Sequence, residues 1–352
     1  MKRYLPLAIL LLLVVFVQLL TFWTGTPYYL TQLTMSAYYS VVIIGLCLLM
    51  GYAGQISLGH AGFFAIGGYM SAMLTTHNLI PYKDDTWVVM LEKIGCLVGG
   101  QDMFGEAQLV FEPWAACIIA VLLALLIAYF IGIPVLKLKG HYLAMATLGF
   151  GIIVFRIFLA MEIFGEADGI SEVPGFAIMP GVTVDGSFDA RISNYYIAWS
   201  MVIIVMVLLI NLINSRVGRA LRAIHGAEDA ANAMGINTSR YKLNTFVLSA
   251  VLAAIAGVFL THYNGGIGPS EAGVMKSVRY VALVAIGGMA SLWGALSMGI
   301  ILNFLSLRGF FGSYDDAVFG IILVVIMLFA PEGVLRLNLW PKLKQRLRGH
   351  KE

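Results

Sequence analysis

Charge is scarce in this 352-residue chain. Asp, Glu, Lys and Arg make up 12% of it, while 60% is hydrophobic; the charged share is about half that of a soluble domain. No water-facing surface could hide so much apolar side chain, which excludes a soluble enzyme, a disordered protein and a nucleic-acid binder and makes a lipid bilayer the natural solvent. Cysteine is equally sparse. Cys47 and Cys117 fall in apolar runs and Cys96 stands alone in a polar stretch, so neither a disulfide framework nor a metal site is expected. The six histidines (His60, His77, His141, His225, His262, His350) show no H-E-x-x-H spacing, which argues against a metal-dependent enzyme and against any bound cofactor. The phosphate loop G-x-x-x-x-G-K-[ST] is missing too, since Lys276-Ser277 follows Met275. The chain cannot bind ATP by that route.

Long apolar runs are abundant. A spanning helix needs about 20 mostly apolar residues, and 4–23, 30–50, 113–134, 141–161, 195–213 and 244–263 qualify. The first run follows Lys2 and Arg3 and lacks a small-x-small cleavage site, so it reads as a retained helix rather than a signal peptide. Trp23, Tyr28 and Tyr29 mark its far interface. Four shorter pieces, 61–76, 277–289, 294–307 and 317–330, are interrupted by Gly, by Arg308 and by Asp315-Asp316. Such pieces suit discontinuous helices that line a pathway. The expected fold is an all-α integral membrane protein, one polytopic bundle over 1–352 with about ten transmembrane segments.

The charges orient it. If all ten segments cross, one side holds 1–3, 51–60, 135–140, 214–243, 290–293 and 331–352. These carry 15 of the 22 Lys and Arg but four of the 19 acids. The positive-inside rule then places them, and both termini, in the cytoplasm. The opposite side receives two long loops, 77–112 and 162–194, rich in Pro, Gly and acids. They read either as a docking surface for an external partner or as plain solvated loops. Within the six long spanning segments only Arg156 and the edge residue Glu162 are charged. Ion-coupled transporters usually hold a carboxylate there, so a self-powered symporter is disfavoured.

Two segments carry further information. Gly51–Phe64 (GYAGQISLGHAGFF) is dense in Gly and polar side chains between two apolar helices. It fits a broken helix beside a polar pathway, with Gly54, Gln55, Ser57, Gly59 and His60 as candidate lining residues; a plain cytoplasmic turn is the other reading. The second is the loop 214–243. It reads as a basic helix with Arg216, Arg219 and Arg222, a break at Gly226, and a short Ala-rich helix. Glu228-Asp229 favour that helix's start and Gly235 its stop. Ala230 and Ala231 lie on its small faces. The loop suits either docking into a groove on another protein or lying on anionic lipid. Ala65-Ile-Gly-Gly68 and Ala285-Ile-Gly-Gly288 repeat one tetrapeptide, which adds Gly287 and Gly288 to the pathway candidates.

GYAGQISLGHAGFFAIGGY (51–69), GHYLAMATLGFG (140–151), RVGRALRAIHGAEDAANAMGINTSRYK (216–242), AIGGMASLWGALSMG (285–299) and APEGV (330–334) resemble the LivM-type permease subunit of branched-chain amino acid ABC importers. The match runs in order through most of the chain. It departs at Ile152, where the family often has an acid, at Phe164–Ile170, and in the length of the loop 77–112. The resemblance implies a non-enzymatic transport subunit in the bacterial inner membrane. Its partners would be a second homologous permease, two cytoplasmic ABC ATPases and a periplasmic amino-acid-binding protein. The loop with Arg219, Arg222, Glu228, Ala230, Ala231 and Gly235 would then be the segment that contacts an ATPase. Two alternatives remain at this point. One is a secondary transporter or channel for a small polar solute such as urea or an amide, without an ATPase. The other is a membrane-embedded enzyme, which would bring Gln55, Ser57, His60 and His262 to one small site.

Overall fold

The computed structural model describes residues 4–329, except 102–104, 106 and 139. The expectations resting on Lys2, Arg3, Lys139, the motif 330–334 and the basic tail 331–352 lie outside the described residues.

Helix α1 (Leu5–Trp23) is followed by α2 (Tyr28–Cys47), which widens into a π-turn at Leu48–Tyr52. The chain then leaves helical geometry until α3 (His60–Thr76). A short helix α4 (Thr86–Ile94) and a hairpin of β1 (Leu97–Gln101) and β2 (Ala107–Phe111) lead to α5 (Pro113–Val135) and α6 (His141–Ala160). Three short strands follow, β3 (Ile170–Ser171), β4 (Phe176–Met179) and β5 (Val182–Val184), then α7 (Arg191–Asn214), α8 (Arg216–Gly226) and α9 (Glu228–Ala233). The chain closes with α10 (Thr238–Asn264), β6 (Gly266–Ile267), α11 (Val274–Gly287), α12 (Leu292–Leu307) and α13 (Asp315–Phe329).

Six of these helices are long and apolar enough to cross a membrane: α1, α2 with its π-turn, α5, α6, α7 and α10. The four doubtful pieces of the sequence are also helical, but α3, α11, α12 and α13 have 17, 14, 16 and 15 residues. At about 1.5 Å per residue they fall short of a hydrocarbon layer about 30 Å thick.

The core is built on α2, α3 and α10. Lipid offers no hydrophobic drive between helices, so close backbone approach supplies much of the packing. Glycine permits it. A Cβ on Gly67 would overlap the Ala254 carbonyl, and one on Gly257 the Phe64 carbonyl, so α3 and α10 meet backbone to backbone. They run parallel, with His60 beside Ser249 near one end and Ser71 beside His262 near the other. Gly287 and Gly294 pack α11 on α12 in the same way, and Gly299 seats α12 against Ile43 of α2. Gly257 and Gly299 each follow a fully buried alanine by four residues, Ala253 and Ala295, so small residues line both seams.

One end of the bundle gathers the segments that the charge pattern grouped. Gly51 abuts the Met289 carbonyl, the Tyr52 hydroxyl donates to the Ala290 carbonyl at 2.9 Å, and Gly54 abuts His225. The opposite end carries the strands. There Ile170 of β3 pairs with Ile267 of β6, and β4 pairs with β5. The loop 77–112 is more than a solvated connection, because Leu79, Val88, Leu97, Leu109, Phe111 and Ala116 form a small core of their own. Asn78 holds it in place, its side-chain oxygen accepting from the backbone of Ile80 at 3.0 Å and of Leu109 at 3.1 Å.

The structure corrects the reading of charge inside the bundle. Glu271 and Lys276 belong by sequence to an outer connection. The chain after β6 instead folds inward, and both residues contact the Tyr39 hydroxyl. Tyr39 lies roughly 16 Å along α2 from its start at ~1.5 Å per residue, near the middle of the span Tyr28–Tyr52. An acid and a base therefore face the interior, whereas Glu162 is exposed just beyond the end of α6. Arg156, by contrast, is exposed on α6.

Candidate functional site

The break between α2 and α3 forms from its own residues. Gly54 adopts φ +69, a left-handed turn that glycine takes without strain. A Cβ there would lie 2.8 Å from His225 Nδ1. Gly59 ends the break, and its Cβ would sit 2.7 Å from the Thr147 carbonyl of α6. The Leu58 amide, left free by the missing helical turn, donates to Thr147 Oγ1 at 2.9 Å.

His60 caps the arrangement. Its Nδ1 lies 3.1 Å from Ser57 Oγ and its Nε2 2.7 Å from Ser249 Oγ of α10. Both ring nitrogens are thus partnered, and the rings of Phe63 and Phe246 stand edge-on to the imidazole at 6.1 Å. Ser57, His60 and Ser249 are all buried. This is a brace between α3 and α10. Gln55 differs: its side chain is 2% exposed, and neither its oxygen nor its nitrogen finds a partner among the described residues. A buried amide in that state costs free energy, so Gln55 is the member of this segment best poised to meet something absent here.

Of the proposed pathway residues, Gly54, Gln55, Ser57, Gly59 and His60 form one cluster. Gly287 and Gly288 do not join it. They close the hairpin between α11 and α12, with Gly287 against Gly294 and Gly288 at φ +98. The enzyme arrangement also fails. His262 lies at the other end of α3, its Nε2 2.8 Å from Ser71 Oγ and its Nδ1 2.7 Å from the Pro174 carbonyl. It ties the strand-bearing end to the bundle and cannot meet Ser57 and His60.

The loop 214–243 folds as two helices with the break at Gly226. Ser215 caps α8, accepting from the Val217 amide at 3.1 Å. Arg222 turns back to the Ile213 carbonyl at 3.3 Å and fastens the end of α7, whereas Arg219 is exposed. Helix α9 begins at Glu228 and stops before Gly235, which has φ +82. Ala231 is buried and Ala230 faces outward. Side-chain contacts hold α9 to the foot of α10. Glu228 Oε2 pairs with Lys242 Nζ at 2.5 Å, and the Thr238 hydroxyl donates to Asn232 Oδ1 at 3.0 Å. Lys242 is buried, so this pair is poorly screened by solvent.

Sequence reasoning missed Met234, 83% exposed at the tip of α9. Its signal was a bulky apolar residue in a loop otherwise Ala-rich. It also missed Thr147, Ser249 and Lys242, each of which reads as a neutral member of its own helix until its partner arrives from elsewhere in the chain.

Comparison with known proteins agrees with this architecture. The family model for the permease component of branched-chain amino acid transport systems matches residues 28–329. The high-affinity branched-chain amino acid permease protein LivM of Escherichia coli is 29% identical over 333 residues, covering 88% of this chain and 70% of LivM. LivH of Escherichia coli is 27% identical over 320 residues, covering 88% of this chain and 96% of LivH. The ribose import permease RbsC of Haemophilus influenzae is 26% identical over 78% of the chain. No solved structure matches. With the family model spanning helices α2 to α13, the chain belongs to the permease component family of branched-chain amino acid transport systems.

Proposed function

We propose that this chain is one of two permease subunits of an ATP-driven importer for branched-chain amino acids, and that it works by alternating access. The observation that carries the reading is the physical continuity from α9 to the break in α2–α3. Helix α9 is fastened to α10 by Glu228–Lys242 and Thr238–Asn232, and α10 is braced to His60 through Ser249. The preceding helix α8 touches Gly54 through His225. A push on α9 therefore reaches both flanks of the broken helix. The protein needs no chemistry of its own; partners bias two packings of one bundle.

In this reading α9, with Met234, Ala230 and Arg219, docks on a cytoplasmic ATPase. The second subunit is a homologous permease, in keeping with the similarity to both LivM and LivH. A periplasmic amino-acid-binding protein delivers substrate to the end that carries loops 77–112 and 162–194. Ten helices cross, four of them short, in the bacterial inner membrane with both termini in the cytoplasm.

Glu271 within the bundle favours a second reading, a secondary transporter for a small polar solute. Inside-out and right-side-out vesicles separate the two. Leucine uptake that requires ATP and the binding protein supports the importer. Uptake that survives without both but collapses with the proton gradient overturns it.

A further inference from the structure

Lys276 Nζ lies 2.9 Å from Glu271 Oε1 and 3.1 Å from the Tyr39 hydroxyl, and sits 4.5 Å from the centre of the Tyr39 ring. The Tyr39 hydroxyl in turn donates to Glu271 Oε1 at 3.1 Å. All of this uses one carboxylate oxygen. Glu271 Oε2 is buried with no partner among the described residues, and so are the hydroxyls of Tyr280 and Tyr69. Tyr280 packs its ring 6.3 Å from that of Tyr39, and both Tyr280 and Tyr69 lie within electrostatic reach of Glu271.

Three unmet polar atoms beside an ion pair, opposite the middle of α2, are costly at membrane depth. Pairing alone leaves them unanswered, because the ion pair neutralises its own charge without supplying the missing contacts. The pair is also not sealed: the Lys276 and Glu271 side chains are 25% and 20% exposed. Glu271 Oε2 and the Tyr280 hydroxyl are themselves buried in this packing, so a small molecule meets them when the bundle passes between its two packings, starting from the exposed side of the pair.

We propose that Glu271, Lys276 and Tyr280 form a way station for the zwitterionic head of a neutral amino acid. The α-ammonium donates to Glu271 Oε2. The α-carboxylate accepts from Lys276 and from the Tyr280 hydroxyl. Both are charge-assisted hydrogen bonds, the strong kind. The ligand's two charges cancel as the pair's do, so occupancy adds no net charge to the bundle. An amino acid with a charged side chain would add one, and desolvating it there is unfavourable. Phe64, whose ring lies 5.8 Å from that of Tyr39, keeps the packing behind the pair apolar. The inference rests on the amino-acid permease reading and adds a site to it.

The test is leucine uptake by the complete transporter, with its partner subunits and binding protein, in proteoliposomes. Tyr280→Phe removes one hydroxyl that no other residue uses. The charge exchange Glu271→Lys with Lys276→Glu rebuilds the ion pair with its polarity reversed. If the pair only holds α11 in place, the exchange restores transport. If it reads a zwitterion, the exchange leaves the complex assembled but lowers the maximal uptake rate about tenfold or more, and Tyr280→Phe lowers it severalfold, as expected for lost hydrogen bonds to charged groups. Assembly is followed by co-purification. Uptake by Tyr280→Phe equal to wild type overturns the site, and so does recovery by the exchange. If the exchanged protein does not assemble, Tyr280→Phe alone decides. Failure of the wild-type complex to move any amino acid would instead sink the permease reading beneath it.

Discussion

Gly54 and His225 touch across the end of the bundle, with no room between them for a side chain on Gly54. The contact joins the break after α2 to the helix preceding α9. Gly54→Val should therefore separate two elements and also strain the left-handed turn at φ +69. Transport should fall by about fivefold or more, given a strain of about 1–3 kcal/mol, with insertion retained. ATPase activity that no longer responds to loaded binding protein is the accompanying sign. Normal transport by Gly54→Val would show that the contact is incidental.

Breaking Glu228–Lys242 should release α9 without unfolding the bundle. Glu228→Gln leaves a buried ammonium with a weaker partner, at a cost of about 1–3 kcal/mol to the docking of α9. Co-purification of the ATPases should weaken, and Met234→Ser should weaken it independently. A double-mutant cycle with Lys242→Met measures the coupling between the pair. Purely additive effects would refute it.

The α3–α10 seam predicts opposite outcomes for two glycines. Gly257→Ala drives a methyl into the Phe64 carbonyl and should abolish stable protein, seen as lost monodispersity in detergent. Gly149 of α6 has nothing within 4 Å of its would-be Cβ and no positive φ. Gly149→Ala should be tolerated and raise thermal stability, by about 0.5–1 kcal/mol from helix propensity alone.

Sidedness is checked by cysteine labelling. Ser187 is exposed at the strand-bearing end and Ala227 at the other. A cysteine at 187 should react with an impermeant maleimide in intact cells, and one at 227 only after permeabilisation. Cys96 is partly exposed on the same face as Ser187, so the background must carry Cys96→Ser. The reverse pattern would invert the bundle.

One pH effect is expected in the outer loop. Partial burial pushes the Asp185 carboxyl up, but hydrogen bonds from the Ser187 hydroxyl and amide and from the Thr183 hydroxyl outweigh it, holding the group below its ordinary value of 3.8. A lowered folded-state value means that the stabilisation is present above the unfolded value and fades as pH falls through the folded one. Protection of the Ser187 amide from hydrogen exchange should therefore persist down to the ordinary value of 3.8 and fade only as pH falls further, through the lowered folded-state value. Asp185→Asn should remove that dependence; an unchanged profile in the variant would assign it to another group.

Much of this protein was legible as sequence. Hydropathy alone marks the six long spans, because a helix in lipid must satisfy its backbone internally and cover it with apolar side chains. The glycine at 235 declares itself through a left-handed backbone that few other residues adopt as easily, and α8 ends at Gly226 as the sequence suggests. Counting alternate crossings puts 51–60, 214–243 and 290–293 on one side, and these segments do meet at one end. All of these are local or compositional properties.

Tertiary structure decided the rest. Ser249, Thr147 and Lys242 gain meaning from partners far away in the chain, and nothing in their own helices distinguishes them. Gly287 and Gly288 are pathway candidates by a repeated tetrapeptide, and only packing shows that they sit in the α11–α12 hairpin, beside the Met289 that abuts Gly51. Glu271 and Lys276 looked like loop charges because they flank a polar break. Only the inward fold of the chain after β6 carries them to Tyr39. Sequence fixes what each segment can tolerate as a solvent; which segments face one another depends on close approach of backbones, and that is a property of pairs that no single stretch of residues contains.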